Sequence, residues 1–379
     1  MSGYTAKQKI FLTLSAAAII FFTSPWGGRW AWLIGARWIY VLIFSFLVSY
    51  LATGLLIPVG NKLKILDIPD HIRKIHTEPV PRVGGLAVFI AVTVAVIRNL
   101  QFSKELTALF IGSSLIYLTG LIDDIKPQKA SLRLFAQIGA SLIALFGGVR
   151  ITVVPHGMPL ELFWEYLITI LWLVGLANAI NFLDGINGLA SGLVSLAGIL
   201  FFAIAFPTRQ SYLAYMTMAL VGGCSGFFIW NMKGKIFLGD AGATFIGFLI
   251  AGIAVMGSWA HPDPIVAAVT PLLVLSIPIF DMIYTTISRF RNRQVKNLKE
   301  WLEYVGKDHL HHRLMHMGFT PVTSLTFVLL LNLAVGTGAL TIRFAGIKGA
   351  YLLLVQTVII FVIVVLLMLQ GRTLTDDKN

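Results

Sequence analysis

The sequence predicts an all-α polytopic integral membrane protein with 11–12 transmembrane helices. Of its 379 residues, 57% are hydrophobic and only 12% are charged, and the mean hydropathy is +0.83. Apolar runs of helix length recur along the whole chain. Because a bilayer offers no hydrogen-bond partners to the backbone, each crossing segment must satisfy its own polar groups, and a helix does so. A soluble domain is therefore excluded.

Twelve apolar runs are long enough to form such helices. The first is short for a span and follows Lys7 and Lys9, so an extra N-terminal helix and a signal-like segment are alternatives for it. No linker or repeat divides the chain, which predicts a single transmembrane domain over 1–379. Its longest loop is 286–323, predicted to be cytoplasmic. The runs are 10–24, 36–59, 83–98, 106–122, 134–149, 162–180, 186–206, 212–230, 242–258, 264–285, 324–340 and 350–370.

The distribution of positive charge predicts the orientation of these segments. With a cytoplasmic N-terminus and twelve crossings, 21 of the 29 Lys and Arg residues fall on the inner side and 8 on the outer side. Inner loops retain positive charge, so this orientation is strongly favoured. The charged residues that give the net charge of +12 lie between apolar runs. This distribution favours the lipid bilayer over nucleic acid as the partner. The single Cys224 lies within an apolar run and excludes a disulfide framework.

Five polar clusters all fall on the predicted cytoplasmic face, which predicts an active site there. The first is a basic loop that contains Lys74, His76 and Arg82 and ends at the pair Gly84-Gly85. Glycines at the start of a helix let an anion approach the backbone N–H groups. The alternative is an ordinary positively charged inner loop.

The second cluster is the pair Asp123-Asp124, which directly follows an apolar run, with Arg133 nearby. Two adjacent carboxylates at a membrane boundary are costly to desolvate, so the pair suggests a shared cation or one carboxyl that keeps its proton. A solvated helix cap is the alternative. Arg133 is close enough in sequence to balance this charge or to bind phosphate.

The third cluster is dense in amides and lies where almost no loop separates two apolar runs. Its members Asn178, Asn181, Asp184, Gly185 and Asn187 offer hydrogen-bonding groups to a polar ligand. An Asp-Gly turn is the alternative, but it explains only Asp184 and Gly185.

The fourth cluster precedes the run 242–258 and contains Asn231, Phe237 and Asp240. Asp240 is predicted to lie near a helix N-terminus, where a carboxylate is favoured electrostatically. A plain N-cap aspartate is the alternative for that residue.

The fifth cluster contains His309, His311, His312 and Arg313, after Asp308. Three histidines suggest a metal site, but helical spacing predicts His309 and His312 on one face and His311 elsewhere, and zinc needs a fourth ligand. Imidazoles beside an arginine suit an anionic ligand such as a diphosphate better. A solvated loop is the alternative.

In this order, the five clusters resemble those of the polyprenyl-phosphate N-acetylhexosamine-1-phosphate transferase family, which is glycosyl transferase family 4. The resemblance covers about residues 62–314. It implies an enzyme that transfers a sugar-1-phosphate from a UDP-N-acetylhexosamine to undecaprenyl phosphate, releases UMP and uses Mg²⁺, with Mn²⁺ as a substitute. It also implies a multi-pass protein of the bacterial cytoplasmic membrane, and a homodimer.

The same resemblance implies roles for individual residues. Asp123, Asp124 and Asp240 match catalytic aspartates, with Asp123 as a base for the lipid phosphate and Asp124 as an accessory group. Asp240 matches the magnesium-binding aspartate, and Asp123 is the second candidate metal ligand. The matched substrate-binding positions are Lys74, His76, Arg82, Arg133, Asn178, Asn181, Asp184, Gly185, Asn187, Asn231, Phe237, His309, His311, His312 and Arg313.

The histidine pattern bears on the sugar. Relatives that take the muramoyl-pentapeptide nucleotide tend to have three consecutive histidines, whereas Leu310 interrupts the histidines here. The resemblance therefore favours UDP-N-acetylglucosamine, with phospho-MurNAc-pentapeptide transfer as the alternative. At Asn187 many relatives have an aspartate; the amide here both donates and accepts hydrogen bonds, where a carboxylate only accepts them. Direct attack by the lipid phosphate is preferred, and a covalent aspartyl-phosphate route stays open.

Other classes of protein fit the sequence less well. A transporter should carry carboxylates in mid-membrane, but here the carboxylates lie at predicted helix ends, apart from Asp281. An aspartate-rich prenyltransferase does not account for the histidine loop, and a CDP-alcohol phosphotransferase motif is not matched after Asp184-Gly185. A non-catalytic homologue stays open, although all three central aspartates are present.

Overall fold

A computed structural model describes residues 4–24, 26–69, 78–99, 103–259, 263–297, 300–301, 304 and 306–376. For 343 and 371–376 it describes the backbone alone. The described residues fold into helices, with one short β-hairpin pairing. The elements are α1 (Ala6–Thr23), α2 (Arg29–Leu33), α3 (Arg37–Leu63), β1 (Leu66–Asp67), β2 (Val80–Pro81), α4 (Gly84–Asn99), α5 (Lys104–Ile125), α6 (Ala130–Phe146), α7 (Glu161–Leu183), α8 (Leu189–Ala205), a 3₁₀ turn (Phe206–Thr208), α9 (Ser211–Asn231), α10 (Gly239–Met256), α11 (Pro264–Val274), α12 (Ser276–Arg291), α13 (Leu310–His316), α14 (Pro321–Gly336) and α15 (Gly338–Asp376, kinked at Gly346).

The all-α membrane fold is confirmed. Within the described residues, nine helical segments are long and apolar enough to cross a bilayer, or ten if α11 and α12 form one span. Helices α4 and α6 are apolar but shorter. Each of the twelve predicted runs coincides with one of these helices or with the α11–α12 pair.

The predicted run 264–285 is not one straight helix. Helices α11 and α12 meet at Leu275 with a bend of 77°. Pro278 lies four residues after Val274, the last residue of α11. A proline has no N–H to donate to that carbonyl and its ring crowds the preceding turn, so the helix breaks there.

The predicted loop 286–323 is also partly wrong. Helix α12 continues to Arg291, and the short helix α13 lies inside the remaining segment. The apolar run ends at Thr285, but the helix continues to Arg291 through polar and charged residues. The arginines Arg289 and Arg291 suit the negative end of a helix dipole.

Helix α1 packs on the rest of the bundle. It starts four residues earlier than predicted, because Thr5 and Gln8 form a capping box. The buried Leu12 lies against Gly54 of α3, and the hydroxyl of Tyr40 donates a 2.8 Å hydrogen bond to the carbonyl of Phe22. The run 10–24 is therefore a helix of the bundle in this structure.

Helix α10 is the most enclosed candidate span, with 83% of its apolar window buried. Small residues let its first turns approach two neighbours closely. A Cβ on Gly85 of α4 would lie 2.5 Å from the Cα of Gly242, and one on Gly120 of α5 would lie 2.6 Å from the Cα of Ala241. Such contacts bring helix backbones together in membrane proteins. They fix the N-terminus of α10 between the ends of α4 and α5.

A short backbone ladder holds the segments beside this N-terminus. Strands β1 and β2 pair antiparallel, and the N–H of Phe237 donates to the carbonyl of Pro81 at 2.8 Å. The N–H groups of Gly84 and Gly85 then donate to the carbonyls of Phe237 and Leu238 at 2.9 and 2.8 Å. Arg82, between these points, is thereby placed at the start of α10.

Substituting Gly85 by alanine should destabilise this junction, because the new methyl group meets backbone atoms that cannot move aside. We expect a loss of about 1–3 kcal/mol, seen as a lower midpoint of thermal unfolding in detergent. Gly139→Ala in α6 is the matched control, since a Cβ there meets nothing within 4 Å. Equal midpoints for both variants would contradict the packing described.

Candidate active site

The predicted polar clusters meet at one end of the bundle. The ends of α5, α7 and α9 and the starts of α4 and α10 lie there, and α13 adds the histidines. Gly239, where α10 begins, has a φ of +77°. A side chain there would be strained, and its Cβ would lie 2.7 Å from both the carbonyl oxygen of Arg82 and Oδ2 of Asp124. A glycine is needed where these three segments converge.

Asp124 is fixed at the N-terminus of α10. Its Oδ1 and Oδ2 accept the backbone N–H groups of Asp240 and Ala241 at 3.2 and 3.1 Å. Arg82 donates to the same carboxylate at 3.1 Å. The positive end of the helix and the guanidinium together stabilise a carboxylate whose side chain is only 2% exposed.

Asp123 turns away from Asp124 and has its own partners. The guanidinium of Arg133 donates to its Oδ2 at 3.1 Å, and the N–H of Gln128 donates to its Oδ1 at 2.6 Å. Its side chain is 7% exposed. The adjacent carboxylates thus bind different arginines, which removes the repulsion that their sequence suggests.

Asp240 links the two arginines. Its Oδ1 lies 3.4 Å from Arg82 and its Oδ2 lies 3.7 Å from Arg133, longer than the 3.1 Å contacts that these arginines make with Asp124 and Asp123. Its side chain is 39% exposed. Asp240 is therefore the carboxylate of the three that is open to a ligand and most loosely held.

The charge of Arg82 is reinforced by its surroundings. Burial alone would lower the pKa of its guanidinium, but Asp240, Asp124 and Asp67 raise it above its usual value. Arg82 is thus a fixed cation beside the open carboxylate. Both arginines remain partly accessible, with side chains 30% and 41% exposed.

Asp184 faces the same cluster from the end of α7, where it caps the helix. Removal of its carboxyl from solvent raises its pKa well above the usual range, the negative charge of Asp240 raises it further, and Arg82 opposes this. A protonated carboxyl can donate a hydrogen bond as well as accept one. Asp184 can therefore act as a hydrogen-bond donor beside Asp240 and Arg82.

The predicted amides have unequal surroundings. Asn231 is 3% exposed; its Oδ1 accepts the N–H of Gly188 at 2.6 Å and its Nδ2 donates to the carbonyl of Ile236 at 2.8 Å. Asn231 therefore ties the loop after α7 to the segment before α10. Its predicted contact with substrate stays a prediction, and so do those of the half-buried Asn181, Asn187 and Phe237.

Asn178 pairs with a residue that sequence reasoning missed. Its Nδ2 donates to Oε1 of Gln137 at 2.7 Å, and Nε2 of Gln137 donates back to Oδ1 of Asn178 at 3.3 Å. A single glutamine within the apolar run of α6 was the available signal, because an amide in such a run needs a partner. The pair joins α6 to α7 at the first residue of the third cluster.

The histidine cluster is held by Asp281, which is 1% exposed. Its Oδ2 contacts Nδ1 of His309 at 2.7 Å, and its Oδ1 accepts the N–H of Leu310 at 2.6 Å. Arg289 donates to Nε2 of His309 at 3.3 Å. An arginine can only donate hydrogen bonds, so Nε2 of His309 must accept this one. In the neutral form of His309 the proton therefore lies on Nδ1.

Arg289 is a second residue that the sequence analysis missed. It is 2% exposed and binds both carboxylate oxygens of Asp308 at 2.7 and 2.8 Å. Burial alone would raise the pKa of Asp308, but these bonds hold it below its usual value. The signal was the spacing of Asp281, Thr285 and Arg289, which places three buried polar residues on one face of α12.

The predicted facing of the histidines is wrong. His309 precedes α13 with an extended backbone, so helical spacing does not apply to it. The rings of His311 and His312 are the closest pair, with centroids 4.2 Å apart. Burial lowers the pKa of His311 well below its usual range and that of His312 to about 4, with neighbouring histidines adding to both shifts. Both imidazoles are therefore neutral at neutral pH.

Gly185 connects the two halves of the site. A Cβ at Gly185 would clash with the His311 ring, so the imidazole packs directly on the glycine. His311 is fully buried, and neither of its ring nitrogens has a partner among the described residues.

The side chain of Arg313 donates hydrogen bonds to the carbonyl of Asp308 at 2.6 Å and to the hydroxyl of Ser288 at 3.1 Å. Lys74 and His76 lie outside the described residues.

The site suits a hard divalent cation in its donor chemistry. Within the described ranges, no three His, Cys, Asp or Glu side chains form a ready metal cage. Mg²⁺ seldom needs one, since it is held by one or two carboxylates together with water and substrate phosphates. The open Asp240, shared weakly between two arginines, meets that requirement.

Comparison with known proteins decides the family. A model of glycosyl transferase family 4 matches residues 106–258. A probable undecaprenyl-phosphate N-acetylglucosaminyl 1-phosphate transferase of Bacillus subtilis is 30% identical over 317 residues, covering 81% of this chain and 86% of the relative. The chain belongs to glycosyl transferase family 4. It is thus a membrane enzyme, and the predicted family is confirmed.

Other relatives show two branches of glycosyl transferase family 4. An undecaprenyl-phosphate alpha-N-acetylglucosaminyl 1-phosphate transferase of Yersinia pestis is 28% identical over 293 residues, or 74% of this chain and 77% of the relative. A phospho-N-acetylmuramoyl-pentapeptide-transferase of Listeria monocytogenes is 34% identical over 245 residues, or 58% of this chain and 76% of the relative. The N-acetylglucosaminyl relatives match more of the chain.

The neutral histidines give the site a pH dependence. The usual pKa of a histidine is about 6.5, whereas that of His312 in the folded protein is about 4. The unfolded chain therefore binds more protons between these values, and the stability should fall as the pH is lowered from 7 to 5. We expect this fall in unfolding midpoint to be a few degrees smaller in His312→Gln.

His156→Gln is the matched control, since that side chain is 97% exposed and lies in the segment before α7. The midpoints of the three proteins are compared by thermal unfolding in one detergent at each pH. The same fall in wild type and His312→Gln would contradict the burial described for His312.

Proposed function

We propose that this enzyme transfers N-acetylglucosamine-1-phosphate from UDP-N-acetylglucosamine to undecaprenyl phosphate, at the cytoplasmic face of a bacterial inner membrane. The products are undecaprenyl-diphosphate-N-acetylglucosamine and UMP. The observation that carries the proposal is the cluster of Asp123, Asp124, Asp240, Arg82 and Arg133 at one end of the helices. Such a cluster brings two cations and an open carboxylate to the level where a lipid phosphate and a water-soluble nucleotide meet.

The reaction is an exchange at phosphorus. An oxygen of the lipid phosphate forms a bond to the sugar-bearing phosphorus, and the bond from that phosphorus to the oxygen of UMP breaks. Catalysis of such a step depends mainly on positioning and on stabilising negative charge. Arg82 and Arg133 are fixed by carboxylates yet remain partly exposed, so their remaining donors can orient phosphate oxygens.

Asp123 and Asp240 have different proposed roles. Asp123 is proposed to accept a proton from the lipid phosphate, and its carboxylate is oriented by Arg133. Asp240 is proposed to hold Mg²⁺, with Asp123 as the second candidate ligand. When bound, Mg²⁺ would neutralise charge on the diphosphate. Asp124 contacts the start of α10 and Arg82, which supports a positioning role.

The proposed nucleotide and sugar site lies beside this cluster. Asp184, Asn181 and Phe237 surround the same end of the bundle and can offer hydrogen bonds and a ring face to uridine. The neutral His311 and His312 can donate one hydrogen bond each without adding charge. Phospho-MurNAc-pentapeptide transfer is the second candidate, supported by the identity with the Listeria relative.

The test is release of UMP by the detergent-purified protein with undecaprenyl phosphate, Mg²⁺ and either UDP-N-acetylglucosamine or UDP-MurNAc-pentapeptide. We expect release with the first nucleotide, dependent on Mg²⁺ or Mn²⁺. Asp123→Asn and Asp240→Asn should each lower the rate by about a hundredfold or more, because a lost proton acceptor or metal ligand raises the barrier.

Asp263→Asn is the matched control for these variants. Asp263 caps α11 by accepting the N–H groups of Ile265 and Val266, and asparagine caps a helix equally well. Its rate should equal that of the wild type. Release only with the pentapeptide nucleotide would favour the second candidate, and no release with either nucleotide would contradict a transferase of this substrate class.

A further inference from the structure

A second cationic site lies at the opposite end of the bundle. A cavity of about 370 Å³ is lined by Arg29, Arg37 and Arg98, together with Trp32 and Tyr40. Helix α4 starts beside Arg82 and ends at this cavity, and its 16 residues span about 24 Å. The cavity is thus separate from the catalytic cluster and, in the predicted orientation, faces outward.

Two of the three guanidinium groups are held in place without a carboxylate. Arg98 donates to the hydroxyl of Tyr40 at 3.0 Å and to the carbonyls of Phe22 and Thr23 at 3.3 and 2.7 Å. Arg37 lies over the ring of Trp32, with 5.2 Å to its centroid. In the part of the chain that the structure describes, no Asp or Glu forms a salt bridge with Arg29, Arg37 or Arg98.

The placement of these arginines is unusual for the outer side of a membrane protein. Positive residues are sparse there, and in the predicted topology only 8 of 29 Lys and Arg residues are outside. Three of those eight line one cavity. Fixed arginines without carboxylate partners are suited to bind the oxygens of a phosphate.

The rim of the cavity is suited to lipid. Trp32, Leu33 and Ile34 are 69%, 78% and 69% exposed, and Trp26 nearby is 71% exposed. Exposed tryptophans beside arginines are typical of the membrane interface, where the ring lies at the level of the headgroups. Apolar side chains next to the cavity would contact acyl chains while the arginines contact the headgroup.

We propose that this cavity binds the phosphate of an anionic glycerophospholipid in the leaflet opposite to the active site. The lipid headgroup enters between Arg29, Arg37 and Arg98, and its chains lie against the apolar rim. The bound lipid would join α1 to α4, because Arg29, Arg37 and Arg98 belong to α2, α3 and α4 and Arg98 donates to Thr23 of α1. The proposal does not depend on the reaction that the enzyme catalyses.

Native mass spectrometry of the full chain, purified in detergent and supplied with phosphatidylglycerol or phosphatidylcholine, tests the proposal. We expect wild type to retain phosphatidylglycerol in preference to phosphatidylcholine. Arg29→Gln and Arg37→Gln should each lower retention of phosphatidylglycerol by about fivefold. Among the described residues, the side chain of Arg29 forms no hydrogen bond or ion pair, so its variant should fold normally, and UMP release should be unchanged in both.

Arg209→Gln is the matched control, because Arg209 is exposed at the same end of the bundle but does not line the cavity. Equal retention of the two lipids by wild type would overturn the proposal, as would an equal loss in Arg209→Gln. A third arm adds inorganic phosphate. If phosphate at millimolar concentration removes the retained lipid completely, the cavity is a site for free phosphate and the lipid proposal fails.

Discussion

The arrangement of the candidate active site depends on one constraint, which is the cost of withdrawing Asp124 from water. Its side chain is 2% exposed, and an unpaired buried carboxylate would be expensive. Arg82 and the first N–H groups of α10 together offset part of that cost. For this to happen, α10 must begin against the end of α5, and Arg82 must lie beside both. Gly239 and the close contact of Gly85 with Gly242 allow these segments to approach each other.

A similar principle organises the histidine segment. Asp281 contacts both the ring of His309 and the N–H of Leu310, so a single buried carboxylate sets where α13 begins and how the first imidazole is oriented. Arg289 lies eight residues later on the same helix and binds the carboxylate of Asp308. The bent pair of α11 and α12 therefore does more than cross the membrane, because its second half carries the polar stripe that holds the histidines against Gly185.

Most of the fold could be predicted from the sequence because its spans are apolar runs between charged loops. The end of a helix could not be predicted where polar residues continue the helix, as in the last turns of α12. The aspartates were also evident, since Asp123, Asp124 and Asp240 stand at the boundaries of apolar runs. Arg133 was also expected beside this pair, but the contact of Asp124 with Arg82 was not, because 42 residues separate them. Arg289 was hidden among the arginines of a positive inner segment.

The balance of charge explains why Asp240 differs from its neighbours. Three carboxylates share two guanidinium groups, and the two shortest pairs leave Asp240 with contacts of 3.4 and 3.7 Å. A phosphate that binds Arg82 or Arg133 competes with Asp240 for the same donors, because charge-assisted hydrogen bonds to phosphate and to carboxylate have the same geometry. An anion bound to these arginines would therefore release Asp240 and leave an excess negative charge, which would favour a cation. Binding of phosphate and binding of a divalent ion are thus expected to support each other at this site.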